Sequence, residues 1–273
     1  MDNMLMNEKR HEYEILPFPK TRQPVVDSLA QAKRMSAIHL LLEVDVTDAR
    51  NAILEFRNKT GEPLSFTAFL TFCLARSVDE NKMMQAYRRG SKLIIYNEVD
   101  ISVVIEREIS NEKAPIFPHV IKAASQKTLK EINQEIRMAQ AEDSKLSRTM
   151  PWINRYYYLP GFIRSLLWKK WLGSPAWRKR LTGTVGISAV GMFGKGVGWG
   201  IPIPTYTLSI TVGGIAEKLC LFSGEIKVRE YLSLTISLDH NVVDGAPAAR
   251  FAQRFKELIE SSYGLRDQDF SAR

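Results

Sequence analysis

The sequence predicts one α/β domain with a mixed β-sheet and flanking helices. Three observations carry that expectation. Stretches with a two-residue apolar period alternate with stretches of helical period along the chain. The run Leu232, Leu234, Ile236, Leu238, interleaved with Ser233, Thr235 and Ser237, leads into a helix-like segment. Finally, 273 residues, 45% of them apolar, can build one substantial core, and neither a repeat nor a linker divides them.

From the N-terminus, residues 1–14 are polar and read as a loose arm. Residues 25–35 can form a short helix, and HLLLEVDVT (39–47) a strand ending at Asp48, the expected cap of a helix over 49–58. Asn58 to Gly61 stops that helix. From Ser65, SFTAFLTFCLARSVDE is apolar at nearly every turn and predicts a buried helix. SKLIIYNEVDISVVIERE predicts a hairpin joined at Asn97-Glu98. Pro115 and Pro118 interrupt the next stretch, and 125–140 is an amphipathic helix with Leu129, Ile132 and Ile136 on one face. TYTLSITVGG and EIKVREYLSLTISL predict strands around a turn at Ser223-Gly224. Ala246 to Ser262 then predicts a helix with Ala249, Ala252, Phe255 and Ile259 inward.

Composition narrows the function classes. Charged residues make up 25% of the chain, which argues against global disorder. Cys73 and Cys220 both lie in apolar settings and read as buried free thiols of a reducing compartment. The N-terminus carries no apolar signal region and no apolar run is long enough to span a bilayer, so the expectation is a cytoplasmic protein. The net charge is +8, but residues 150–182 contribute seven cations and no acid, leaving +1 for the rest. A whole-surface nucleic-acid binder is therefore not expected. The histidines and cysteines show no metal-ligand spacing, so no metal is expected, and the glycine-rich stretch 191–200 matches no nucleotide-binding fingerprint.

The chemistry gathers at SLTISLDHNVVDGAPAARF (233–251). His240 stands where a core strand gives out, and ligand sites gather at strand ends in α/β folds. A free imidazole, with a pKa of about 6.5, is mostly unprotonated at neutral pH and can take a proton. Asp244 falls at the start of the next helix, where a carboxylate is stabilised, and Gly245 permits a tight turn. The same residues also fit a plain helix cap beside a surface histidine.

HNVVDGAPAARF resembles the His-x-x-x-Asp-Gly motif of the chloramphenicol acetyltransferase superfamily, and most of all the catalytic core of dihydrolipoyl acyltransferases of 2-oxo acid dehydrogenase complexes. SLAQAKRMSAIHLLLEVDVT, APIFPHVIKAASQKTLKEI and GTVGISAVGMFG resemble three further segments of that family, in the same order. The resemblance implies a chloramphenicol acetyltransferase-like fold. It implies that His240 is the base removing a thiol proton, that Ser188 hydrogen-bonds the tetrahedral oxyanion, and that Asp244 braces the histidine loop. Arg22 matches the arginine that braces this acid. Coenzyme A and acyl-CoA would be substrates, with the lipoyl group on a separate protein. A homotrimer with the site between subunits, able to assemble into a cage, is implied as well.

Three departures stand out. No lipoyl domain, subunit-binding domain or linker precedes residue 15, so an acyl group would come from a separate carrier. Asn241 occupies a position usually held by Arg or His, which bears on the acceptor. Residues 150–182 replace a short polar connection with an insertion holding four of the five tryptophans. In it, Phe162, Ile163, Leu166, Leu167 and Leu172 can share one helical face opposite Arg164, Lys169 and Lys170. That pattern fits packing on a subunit or an acidic partner protein, and also an interfacial helix peripheral to a membrane. Two other functions fit the chain: acetylation of a small-molecule hydroxyl or amine, and a non-catalytic assembly core.

Overall fold

The computed structural model describes residues 13–19, 22–32, 35–105, 118–141, 156, 158–189 and 196–265. The chain enters through α1 (Gln23–Ala32), crosses the sheet edge as β1 (Ala37–Asp45) and turns into α2 (Thr47–Thr60). Asp48 does not cap α2. Val46 holds the position before the helix, Asp45 Oδ1 accepts from Thr47 N at 3.0 Å, and Asp48 sits in the first turn and binds Arg229. Gly61, with φ of 71°, closes the helix as predicted. α3 (Phe66–Glu80) is capped by Ser65 Oγ, which accepts from Ala68 N, and it carries ten buried residues into the core. Cys73 lies there, and burial raises its thiol pKa far above the ordinary range, leaving it inert. Cys220 is also a free thiol but only half-buried.

The hairpin predicted at Asn97-Glu98 is replaced by another. β2 (Tyr87–Arg89) pairs with β3 (Lys92–Ile94) around Gly90-Ser91, and β4 (Ile101–Val104) joins the main sheet instead. The reason is reach: Gly90 adopts φ of 61° and allows the tight turn, so β3 pairs backwards before Asn97 arrives. β5 (His119–Ile121) then borders β4, and α4 (Leu129–Ala141) begins with a reciprocal Thr128–Glu131 capping box and buries Leu129, Ile132 and Ile136. α5 (Gly161–Gly173) and α6 (Pro175–Thr182) form the described part of the basic segment. They lead into β6 (Val185–Ala189), then β7 (Leu208–Phe222), β8 (Glu225–Asp239) and α7 (Gly245–Glu260).

The six-stranded sheet has the order β1-β8-β7-β6-β4-β5 and mixes parallel and antiparallel pairs. The β7–β8 turn at Ser223-Gly224 has positive φ at both residues, matching the twist of the flanking strands. Leu232, Leu234, Ile236 and Leu238 are buried in the core cluster that also holds residues of α3 and α7, but the Ser/Thr side of β8 is buried too. The parallel β6–β7 connection needs a crossover, and its described part runs back over that polar side. There Gly198 N donates to Ser233 Oγ at 3.4 Å and Gly214 N to Gly198 O at 3.0 Å. A Cβ on Gly213 or Gly214 would lie 2.1 or 1.9 Å from a backbone oxygen of this crossover. The glycines of both segments serve that close approach. In α7 the inward face is Ala248, Phe251, Ala252 and Phe255; Ala249, expected inward, is exposed.

Candidate active site

β8 ends at Asp239, whose carboxylate is almost fully buried and builds the adjoining turn. Its Oδ1 accepts from Asn241 N at 3.1 Å, from Asn241 Nδ2 at 2.8 Å and from Ser36 N at 3.2 Å. The main chain of His240 is fixed by its N–H to Ser36 O at 2.8 Å. With its backbone pinned on both sides, the imidazole projects outward, 48% exposed. Asp244 is the residue before α7, yet its side chain makes no cap hydrogen bond. It lies instead with Oδ1 3.6 Å from His240 Nδ1, close enough for its charge to orient the imidazole. The plain-cap alternative for Asp244 is therefore not what this turn shows.

Asn241 turns back on Asp239 and toward Ser36 Oγ at 3.5 Å, stabilising the turn. Gly245 opens α7 with an ordinary helical backbone and open space where a Cβ would stand, so the tight turn expected of it is absent. Arg22 is exposed in the turn before α1, its backbone N–H on Pro19 O, and among the described residues its side chain makes no ion pair with Asp244. Asp239 and Ser36 hold the backbone of the His240 turn, a different task from the bracing of Asp244 expected of Arg22.

Ser188 lies on β6, half-buried, in register between Val104 and Thr211. Thr211 pairs with Thr235, five residues before His240. Two strand spacings and that stagger separate Ser188 from His240 by on the order of 15–20 Å within one chain. The chain thus brings His240, Asp244 and Asn241 together and keeps Ser188 apart. Sequence reasoning missed Asp239 and Ser36 as the residues that hold the histidine. The signal for Asp239 was an aspartate two residues before an asparagine at a strand end, the usual setting of an Asx turn.

The sequence pattern of the 2-oxoacid dehydrogenase acyltransferase catalytic domain matches residues 10–149 and 179–265. The chain belongs to that family. The lipoamide acyltransferase component of the branched-chain alpha-keto acid dehydrogenase complex of Bacillus subtilis is 26% identical over 254 residues, covering 90% of this chain and 52% of that protein. The chain spans about half the length of the curated relatives it matches. Among solved structures, the cubic core of the pyruvate dehydrogenase multienzyme complex superposes with a TM-score of 0.68 at 19% identity, covering 93% of this chain and 94% of that one. Azotobacter vinelandii dihydrolipoamide acetyltransferase superposes with a TM-score of 0.67 at 19% identity and the same coverage. That structure was used to probe a serine, a histidine and an asparagine in its catalytic mechanism. Its histidine lies 52 residues after the serine, and its asparagine four beyond the histidine.

Proposed function

We propose that this chain is a CoA-dependent acyltransferase that moves an acyl group between CoA and a dihydrolipoyl thiol carried by a separate protein. The observation that carries the reading is the exposed His240 imidazole on a turn whose backbone Asp239 and Ser36 hold, with Asp244 Oδ1 3.6 Å from Nδ1. Nε2 removes the thiol proton as sulfur attacks the thioester carbonyl. The new C–S bond forms, the old one breaks, and the departing thiolate takes the proton back. Such proton transfer contributes about 10²–10⁴ in rate. Ser188 donates its hydroxyl to the oxyanion formed on the way. The spacing of Ser188, His240 and Asp244 matches the serine, histidine and asparagine probed in the Azotobacter enzyme, which supports these roles.

Because one chain separates the serine from the histidine, the site would form between copies, with a homotrimer as the catalytic unit. The outer half of the β7–β8 hairpin supports assembly. Beyond the reach of β1 and β6 it exposes Leu219, Leu221, Ile226 and Val228. The acyltransferase domain would run over 15–273 with 150–182 as an insertion, and two free thiols fit a cytoplasmic setting. Among the described residues no helix is long and apolar enough to cross a membrane. The test is thiol release from acetyl-CoA with free dihydrolipoamide as acceptor. His240→Ala should lower kcat by about 10³-fold and Ser188→Ala by about 10²-fold. Equal rates in wild type and His240→Ala would refute the reading.

A further inference from the structure

The basic segment 150–182, which the family pattern leaves unmatched up to residue 178, carries a surface the proposed chemistry has not used. Its cations among the described residues divide into two sets. Arg164 donates to Asp27 of α1 at 2.9 Å, in a network where Tyr156 donates to the same carboxylate and Trp168 Nε1 donates to the Tyr156 hydroxyl at 2.6 Å. Arg178 stacks on Tyr87 at 4.4 Å, and Lys179 pairs with Glu98 at 2.6 Å. These residues fasten α5 and α6 to the domain. Lys169, Lys170 and Arg180 are exposed, and among the described residues none of them pairs with an acid. Phe162 at 75% exposure and Leu166 at 67% share their stripe on α5, and Trp177, half exposed, stands beside Arg180 on α6.

The chain path ties this surface to the His240 end of the sheet. α6 runs through Gly183 into β6, whose start pairs with the start of β7, and β7 begins beside the end of β8. α1, which α5 grips through Asp27, leads to Ser36, the partner of His240. The insertion therefore flanks the end of the sheet that carries His240. We infer that Phe162, Leu166, Lys169, Lys170, Trp177 and Arg180 form the docking surface for an acidic carrier protein that brings its acyl-thiol arm to His240.

This rests on the transferase reading and names its partner class. Charge complementarity selects the occupant, since three unpaired cations face outward in a segment without a single acidic residue. Aromatic and arginine side chains on such a surface are typical binding anchors. A bilayer fits less well. A helix lying in lipid needs a broad apolar face opposite its cations, whereas α5 turns Ile163, Leu167, Trp168 and Trp171 partly toward the domain and mixes Phe162 and Leu166 with lysines. The single apolar face predicted from the sequence is thus split, with Arg164 on the inner side.

The experiment uses the full chain and a variant carrying Lys169→Glu, Lys170→Glu and Arg180→Glu. The acceptor is either a recombinant lipoyl domain rich in Asp and Glu or free dihydrolipoamide, and binding of that domain is titrated in parallel. The variant should raise KM for the domain at least tenfold and lose its salt dependence, while kcat/KM for dihydrolipoamide stays unchanged. An unchanged KM for the domain, or salt-sensitive pelleting of wild type with anionic phosphatidylglycerol vesicles together with no binding of the domain, overturns the inference. If wild type binds the domain in a charge-dependent way yet transfers no acyl group to either acceptor, the reaction reading fails and the docking surface stands.

Discussion

At the scale of single residues, the two aspartates that flank His240 do different work. Asp239 is buried and satisfies Asn241 and Ser36, so removing its carboxylate strands backbone donors. Asp244 is 85% exposed, makes no cap bond and, among the described residues, approaches the His240 ring. Asp239→Ala should therefore cost about 2 kcal/mol in denaturant unfolding, whereas Asp244→Ala should cost less than about 0.5 kcal/mol and still lower kcat about tenfold. A loss of about 1 kcal/mol for Asp244→Ala, the usual cost of a missing cap, would show that its role is structural. His240 and Asp244 were legible because they sit close together on one strand–helix junction. Asp239 was harder to read, since its role depends on Ser36, far away along the chain but beside it across the sheet edge.

At the scale of elements, Arg229 joins the β7–β8 hairpin to the β1–α2 corner. It donates to Asp45 at 2.6 Å and to Asp48 at 2.9 and 3.0 Å, and its guanidinium lies 4.2 Å from the Phe222 ring. Burial works to raise the Asp45 pKa, but hydrogen bonds from Arg229 and Thr47 outweigh it and hold the carboxyl below its ordinary value. A lowered folded value stabilises the protein above the unfolded pKa of about 3.9, and that contribution disappears as pH falls through the folded value. Arg229→Met should lower stability by about 3 kcal/mol at pH 7 and flatten the fall in Tm below about pH 4; parallel acid limbs in the two proteins would contradict this. The strands and helices themselves were largely readable, because their apolar periods match their burial. The misreadings came where a long-range partner decides. Asp48 looked like a cap until Arg229 claimed it, and Asn97-Glu98 looked like a turn until β2 claimed β3.

At the scale of the whole molecule, the sheet sets Ser188 and His240 at different levels of β6 and β8, a separation that no side-chain rotation within the chain closes. Periodicity alone could not give this, because it comes from strand order and register rather than from any local pattern. The proposed site therefore divides the labour between copies, and complementation tests it. Ser188→Ala retains a working imidazole and His240→Ala a working hydroxyl. Unfolded together and refolded as a mixture, the two inactive proteins should complement each other, regaining about one intact centre in four for random cyclic association. Refolding them separately and then pooling them without subunit exchange should restore nothing.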